Sequence, residues 1–232
     1  MIAIFPIQMG IASSFLLRGA HGRAILVDTG PPNTLRLFKR ALLRLGISPR
    51  QIELIVITHG HWDHIGNARA IHQLTGAPIA MHASERERLE RALRVTPTGI
   101  TPWGRIFGNV FSRLTLPFVR FKPAPVEVVV DDDGLDLADF GFGGARVVHT
   151  PGHSPGSLTV VLETGEALVG DQAMNGLPLR LSPGLPVVVE QSDDLVRSSW
   201  ARLLEEHRIT TIFPAHGDPF PVDVIRAAIA RK

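Results

Sequence analysis

The run Thr58-His59-Gly60-His61-Trp62-Asp63-His64 constrains this chain more than any other stretch. Four side chains that bind metals fall within six residues. They directly follow Leu54–Ile57, an apolar segment that reads as a buried strand. His59 and His61 alternate, so both can point the same way from an extended turn. Asp63 and His64 follow at the start of a helical pattern and face a neighbouring spot. One short segment can thus serve two metals a few ångströms apart, provided that more ligands arrive from elsewhere. Three candidates stand in Gly- and Pro-rich turns after predicted strands. They are His153 in Thr150-Pro-Gly-His-Ser-Pro-Gly-Ser157, Asp171 in Val169-Gly-Asp171, and His216 in Phe213-Pro-Ala-His-Gly217. Glycine and proline fix the backbone there, which suits a preset ligand geometry.

Composition narrows the chemistry. The chain of 232 residues has no cysteine, so disulfides, thiolate ligands and thiol nucleophiles are excluded. A transition-metal site must use nitrogen and oxygen. There is no tyrosine, hence no phenol to act as an acid or to donate to an oxyanion. A formal charge of +2 gives no reason to expect a nucleic-acid partner. No apolar run reaches transmembrane length. The N-terminal stretch lacks a basic start and contains Pro6 and Gly10, so it reads as two strands rather than a signal peptide, and the expected location is the cytoplasm.

Length and apolar content predict one domain over 1–232 with a sizeable core. Strands are expected at Ile2–Ile7, Ser13–Leu17, Arg23–Val27, Leu54–Ile57, Pro78–Met81, Val126–Val130, Ala145–His149, Ser157–Leu162, Ala167–Val169 and Thr211–Phe213. Helices are expected at Thr34–Leu45, Ile65–Leu74, Ser84–Leu93, Asp193–Glu206 and Val222–Ala230. Asn33 is an expected N-cap, and Gly46 and Gly76 are expected stops. This order suits sheets packed face to face with helices outside. A faint echo, Gly22–Asp28 against Gly165–Asp171, points to two similar halves, each with a strand ending in an aspartate.

Residues 84–122 stand apart. They carry eight Lys or Arg against three Glu, while the rest of the chain is slightly acidic. Ile100, Trp103, Ile106, Phe107, Val110, Phe111 and Leu114 recur at helical spacing, with Arg105, Asn109, Ser112 and Arg113 opposite. The segment reads as an inserted, basic, helical lid, as a face for a homodimer or a membrane, or as simple packing. If it is a lid, Arg105 and Arg113 would favour an anionic group on the substrate. His82, just after a strand, is the histidine outside the main set expected nearest the site. Trp62 reads as a packing residue, and Gly66 as a place where a helix meets a sheet closely.

The run HGHWDH, with His153, Asp171 and His216 in their turns and Asp28 in Leu-Val-Asp-Thr-Gly, resembles the metallo-β-lactamase superfamily, from Asp28 to His216. The resemblance implies an α/β fold, a four-layer αββα sandwich of two mixed sheets with helices outside. It implies two divalent metal ions, zinc foremost, with Mn2+ or Fe2+ as alternatives. His59, His61 and His153 would bind the first and Asp63, His64 and His216 the second, with Asp171 bridging. Asp28 would orient the metal-binding loop, and Asp63 is the candidate catalytic residue, orienting a hydroxide and passing on a proton. The implied activity is metal-dependent hydrolysis of an ester, thioester or lactone-type bond in a small molecule.

Departures from pattern sort the relatives. Flavodiiron reductases carry a glutamate where His61 stands. Glyoxalase II enzymes need a longer helical extension than the sixteen residues after His216. Lactonases of this fold carry a tyrosine that this chain lacks. Secreted β-lactam hydrolases carry an export signal. A phosphodiesterase or nuclease reading is a further alternative, although the basic 84–122 segment matches the tRNA-gripping exosite of ribonuclease Z relatives poorly. A persulfide dioxygenase reading stays open, with one iron on His59, His153 and Asp171. A silent binding module fits poorly with a complete ligand set.

Overall fold

Both faces of the central strands are buried, and this sets the order of the layers. The computed structural model describes residues 2–106, 108, 110, 114, 116–176 and 182–231. The first half contains strands β1 (Ala3–Gln8), β2 (Ser13–Arg18), β3 (Ala24–Val27), β4 (Ile52–Val56), β5 (Ile79–His82), β6 (Thr98–Gly99) and β7 (Val128–Val130). The second contains β8 (Leu135–Asp136), β9 (Ala145–His149), β10 (Leu158–Leu162), β11 (Glu166–Gly170), β12 (Val188–Val189), β13 (Thr211–Pro214) and β14 (Phe220–Pro221). The helices are α1 (Leu35–Leu45), α2 (Trp62–Ile65), α3 (Ala68–Thr75), α4 (Arg86–Glu90), α5 (Pro102–Ile106), α6 (Asp193–Glu206) and α7 (Asp223–Ala230).

One sheet has the order β1-β2-β3-β4-β5-β7 and the other β14-β13-β11-β10-β9-β8, while β6 and β12 form a separate ribbon. Both sheets are mixed. β3, β4, β5 and β7 run parallel, as do β11 and β13. Alternation along each strand feeds two different cores. Ile25, Val27, Leu54 and Val56 face Val147, Leu158, Val160 and Leu168 between the sheets. Their neighbours Leu26, Ile55 and Ile57 pack with Phe38 and Leu42 of α1 and Ile71 of α3. Across the molecule, Val161, Ala167 and Val169 pack with Val196, Trp200 and Leu203 of α6 and Ile225 of α7. The result is the expected αββα sandwich. The strands read as nearly continuous apolar runs because each is covered on both sides.

Most expected elements are present, within two residues at each strand end. Gly46 and Gly76 end their helices in the left-handed conformation, as expected. Other expectations differ from the structure. Asn33 is not the N-cap of α1. It adopts a φ of 69°, and Thr34 takes the cap position. The single helix expected over Ile65–Leu74 is two, α2 and α3, because the chain turns at Gly66 and Asn67. The Asn67 side chain donates to the carbonyls of Thr29 and Pro31 instead of continuing a helix face. Gly66 meets the Pro31–Pro32 turn rather than a sheet. The helix expected over Ser84–Leu93 is shorter, with α4 ending at Glu90. Of the amphipathic helix expected beyond Ile100, α5 covers Pro102–Ile106, while Phe107, Asn109, Phe111, Ser112 and Arg113 lie outside the described residues.

The ends of the two sheets that carry the candidate ligands are stitched together. The Leu158 N–H donates to the Thr58 carbonyl at 2.7 Å, and the Ser13 N–H to the Ala215 carbonyl at 2.7 Å. No described helix is long and apolar enough to cross a membrane.

Gly66 offers a test of the local packing. Its backbone is ordinary right-handed helix, so alanine is not strained by conformation. A Cβ there would lie 2.3 Å from the Pro32 nitrogen and 2.6 Å from the Pro31 carbonyl carbon. Gly66→Ala is expected to lower the stability of the fold by about 3 kcal/mol, near the top of the range for overpacked sites. Urea denaturation measures it, and an unchanged midpoint would contradict the packing described.

Candidate metal centre

The candidate ligands all sit just beyond strand ends on one side of the sandwich. Thr58–His64 follows β4, Asp28 follows β3, Asp171 follows β11 and His216 follows β13. These are carboxyl ends of parallel strands, where open α/β sheets place their sites. His153 comes from the turn between β9 and β10. The fold thus brings together all seven residues singled out in the sequence. His59, His61, His153 and Asp171 form one group able to hold a metal ion, and Asp63, His64 and His216 form a second.

Each histidine is pinned through its outer ring nitrogen. His153 Nδ1 lies 2.9 Å from the Val188 carbonyl, and His216 Nδ1 lies 2.8 Å from the Ile11 carbonyl. A carbonyl only accepts, so both Nδ1 atoms carry the proton. His64 Nδ1 donates to Asp28 Oδ2 at 2.8 Å, and His61 Nε2 to Glu190 Oε1 at 2.7 Å. Thr58 Oγ1 donates to Asp28 Oδ2 at 2.8 Å, which leaves it to accept from His59 Nδ1 at 3.1 Å. Asp28 therefore sets the tautomer of one histidine in each group. Its second oxygen accepts the Thr58 N–H at 2.8 Å, and its φ of 61° turns the chain into this position.

In the group of His59, His61 and His153 the inner nitrogens are left as lone pairs, and they converge. His61 Nδ1 lies 2.9 Å from His59 Nε2 and 3.1 Å from His153 Nε2. Among these three rings the planes cross at 79°, 84° and 89°, which aims three lone pairs at one point. Acceptors facing acceptors in a buried place repel unless a cation lies between them. Asp171 stands between the groups. Its Oδ2 is 3.6 Å from His153 Nε2 and 3.4 Å from His216 Nε2, and its Oδ1 is 3.3 Å from His64 Nε2. Asp63 Oδ2 is 3.3 Å from His216 Nε2. The two facing atoms His64 Nε2 and Asp171 Oδ1 are buried without a hydrogen-bond partner. Orphaned polar atoms of this kind fit a site built for a metal.

Charge in the centre is divided unevenly. Burial, together with the neighbouring rings of His64, His61 and His153, holds the His59 imidazole well below its usual pKa. Burial brings His153 down to about 4. Both are neutral near pH 7, the form that binds metals. In the second group burial works against protonation of His216 and His64, but the carboxylates win. Asp171 and Asp63 raise His216 to about 10, and Asp171, Asp28 and Asp63 raise His64 well above its usual value. Burial would also raise Asp171, but His216 and His64 hold it well below the carboxylate range. Positive charge is demanded there, by protons or by a cation.

A third cluster of metal-binding residue types is present among the described residues, formed by His82, Asp132 and His149. The His82 and His149 rings stack at 15° with centroids 4.0 Å apart. Parallel rings keep their lone pairs in parallel planes, which is the wrong geometry for one ion. Asp132, which is exposed, instead pairs with both rings at 3.2 and 3.0 Å. His82 belongs to this separate group and not to the centre.

Sequence reasoning missed Glu190, Arg88 and Glu85. Glu190 comes between β12 and α6, 129 positions from the histidine it holds, and nothing local marks it. Burial would raise its carboxyl, but hydrogen bonds from His61 and Arg88 hold it down at about 2.

Comparison with known proteins fits this geometry. A model of the metallo-beta-lactamase superfamily matches residues 8–216. The chain is similar to metallo-beta-lactamase domain-containing protein 1 of Rattus norvegicus, at 54% identity over 227 residues, 97% of this chain and 72% of that one. It is also similar to a probable metallo-hydrolase of Methanocaldococcus jannaschii, at 25% identity over 209 residues, 89% of this chain and 88% of that one. The crystal structure of the B3 metallo-beta-lactamase BLEG-1 superposes with a TM-score of 0.69 at 21% identity, covering 96% of this chain and 95% of that one. At that identity the superposition speaks for the fold alone. With the ligand run, the layered sheets and a family match over nearly its whole length, this chain belongs to the metallo-beta-lactamase superfamily.

Proposed function

We propose that the protein is a hydrolase with two divalent cations, zinc foremost, acting on an ester, thioester or lactone-type bond in a small molecule. One observation carries the reading. Five histidines present protonated outer nitrogens to fixed acceptors and direct five inner nitrogens at two adjoining points, with Asp171 between. His59, His61 and His153 would hold one cation, and Asp63, His64 and His216 the other. Cations bound there would supply Lewis acidity and an activated water near neutral pH.

The chain's own residues do the rest. Among the described residues, Asp63 is the carboxylate besides Asp171 within the two ligand groups, and its side chain retains some exposure, at 13%. Burial works to raise it, but His64 and His216 keep it below the ordinary carboxylate value, so it is an acceptor at neutral pH. It is placed to orient water and to carry a proton to the leaving group. Asp28 is nearly inaccessible. Its role is to hold His64 directly and His59 through Thr58. Tyrosine is absent, so no phenol assists an oxyanion.

The test combines metal analysis with a substrate panel. Protein purified without added metal should contain about two equivalents of divalent cation and should hydrolyse ester, thioester or lactone reporters. A single iron with thiol-dependent oxygen uptake would favour the dioxygenase instead, and protein without bound metal would overturn the reading. Asp63→Ala is expected to lower kcat by roughly 100- to 10,000-fold, the usual share of a general acid or base. Near-full turnover would remove Asp63 from that role. Asp28→Ala should weaken metal binding by roughly 10- to 100-fold, as losses of a ligand's hydrogen-bond partner do. Titration against a chelator reads this, and unchanged affinity would contradict the role given to Asp28.

A further inference from the structure

We infer that Glu85, Arg88 and Glu190 form a largely buried charged bracket that positions the three-histidine group and strengthens its hold on a cation. The inference rests on the reading of His59, His61 and His153 as metal ligands.

The bracket begins on a ligand. Glu190 Oε1 accepts from His61 Nε2 at 2.7 Å. Arg88 then grips Glu190 with two parallel hydrogen bonds, Nη1 to Oε1 at 2.6 Å and Nη2 to Oε2 at 2.7 Å. The same Nη1 lies 3.2 Å from Glu85 Oε2. Glu85 is fully buried, and its oxygens accept the backbone N–H of Gly60 at 2.5 Å and of Gly156 at 2.7 Å. Gly60 stands between His59 and His61, and Gly156 follows His153 by three residues. The three charged residues therefore close on both loops that supply the histidine group.

There is no slack in the bracket. A Cβ on Gly60 would lie 2.5 Å from Arg88 Cδ and 2.8 Å from Glu85 Oε2. A Cβ on Gly156 would lie 2.9 Å from Glu85 Cγ. The main chain at Glu190 adds to the grip. Its N–H donates to the His153 carbonyl at 2.7 Å, and the Val188 carbonyl takes His153 Nδ1. Val188 and Val189 form β12, which pairs with Gly99 and Thr98 of β6. The basic segment 84–122 thus reaches the centre twice, through Glu85 and Arg88 and through β6.

The charge pattern suits a cation. Two carboxylates and one guanidinium leave one excess negative charge behind the three imidazoles. A carboxylate on the outer N–H also makes the inner nitrogen a better donor to metal. Among the described residues, none of the three hydrogen bonds or ion-pairs with Asp63, His64 or His216. The effect should accordingly be confined to one of the two metals.

Glu190→Gln tests this, because the amide oxygen still accepts from His61 while the charge is gone. Zinc titration against a competing chelator should show one equivalent weakened by roughly 10- to 100-fold, with the other as in the unmodified protein. The visible spectrum of the Co2+-loaded variant should change for one ion only. Arg88→Lys keeps the charge but not the paired hydrogen bonds, and should give a smaller loss at the same equivalent. If Glu190→Gln does not fold, Arg88→Lys decides by the same criteria. Two equivalents bound as tightly as in the unmodified protein would overturn the inference. So would equal weakening of both together with a lower melting temperature of the metal-free variant, the mark of a merely structural ion pair. An unmodified protein that takes up no cation would overturn the functional reading and the bracket with it.

Discussion

Lone pairs pressed together in a buried place are the constraint on which this structure turns. Each of five imidazoles donates its outer N–H to an acceptor that cannot move, two of them backbone carbonyls. The inner nitrogens have no choice but to face one another, at 2.9 and 3.1 Å in the histidine group. Such an arrangement is costly without a positive charge at its centre. In the second group the carboxylates of Asp171 and Asp63 draw protons to His216 and His64. The chain thus invests its rigidity in holding repelling atoms close, and a pair of cations would turn that repulsion into binding.

The layered sheets supply the rigidity. Strands buried on both faces cannot slide without exposing one core or the other. Their carboxyl ends stop at fixed depths, and the ligands follow within a few residues. Backbone hydrogen bonds from Leu158 to Thr58 and from Ser13 to Ala215 join the sheets where the ligands emerge. The echo between Gly22–Asp28 and Gly165–Asp171 acquires a meaning here. β3 and β11 each run beside a parallel partner and end in an aspartate, one orienting histidines and the other standing between the two groups. The basic segment 84–122 is more than a cover, since Glu85, Arg88 and β6 all bear on the histidine loops or on the chain beside them.

Much of this is legible in the sequence. The seven clustered residues are readable because four share a single turn and three stand in Gly- or Pro-bound turns after apolar strands. Asp28 is readable through its resemblance to a known pattern. Glu190, Arg88 and Glu85 are not, because their role comes from approach in space across as many as 129 positions. Arg88 looks like one charge among eight in a solvated run, yet it is largely buried against two carboxylates. Asn33 misleads because its residue type suits both a helix cap and a left-handed turn, and the Pro31–Pro32 corner selects the turn. The two-residue strands β6, β8, β12 and β14 are too short to show a period.

A crystal grown with zinc and measured at the metal's absorption edge tests the central claim most directly. Two anomalous peaks should appear about 3.5–4 Å apart. One should be bounded by His59, His61 and His153 and the other by Asp63, His64 and His216, with the Asp171 carboxylate touching both. A single peak, or no peak within this cluster, would contradict the account.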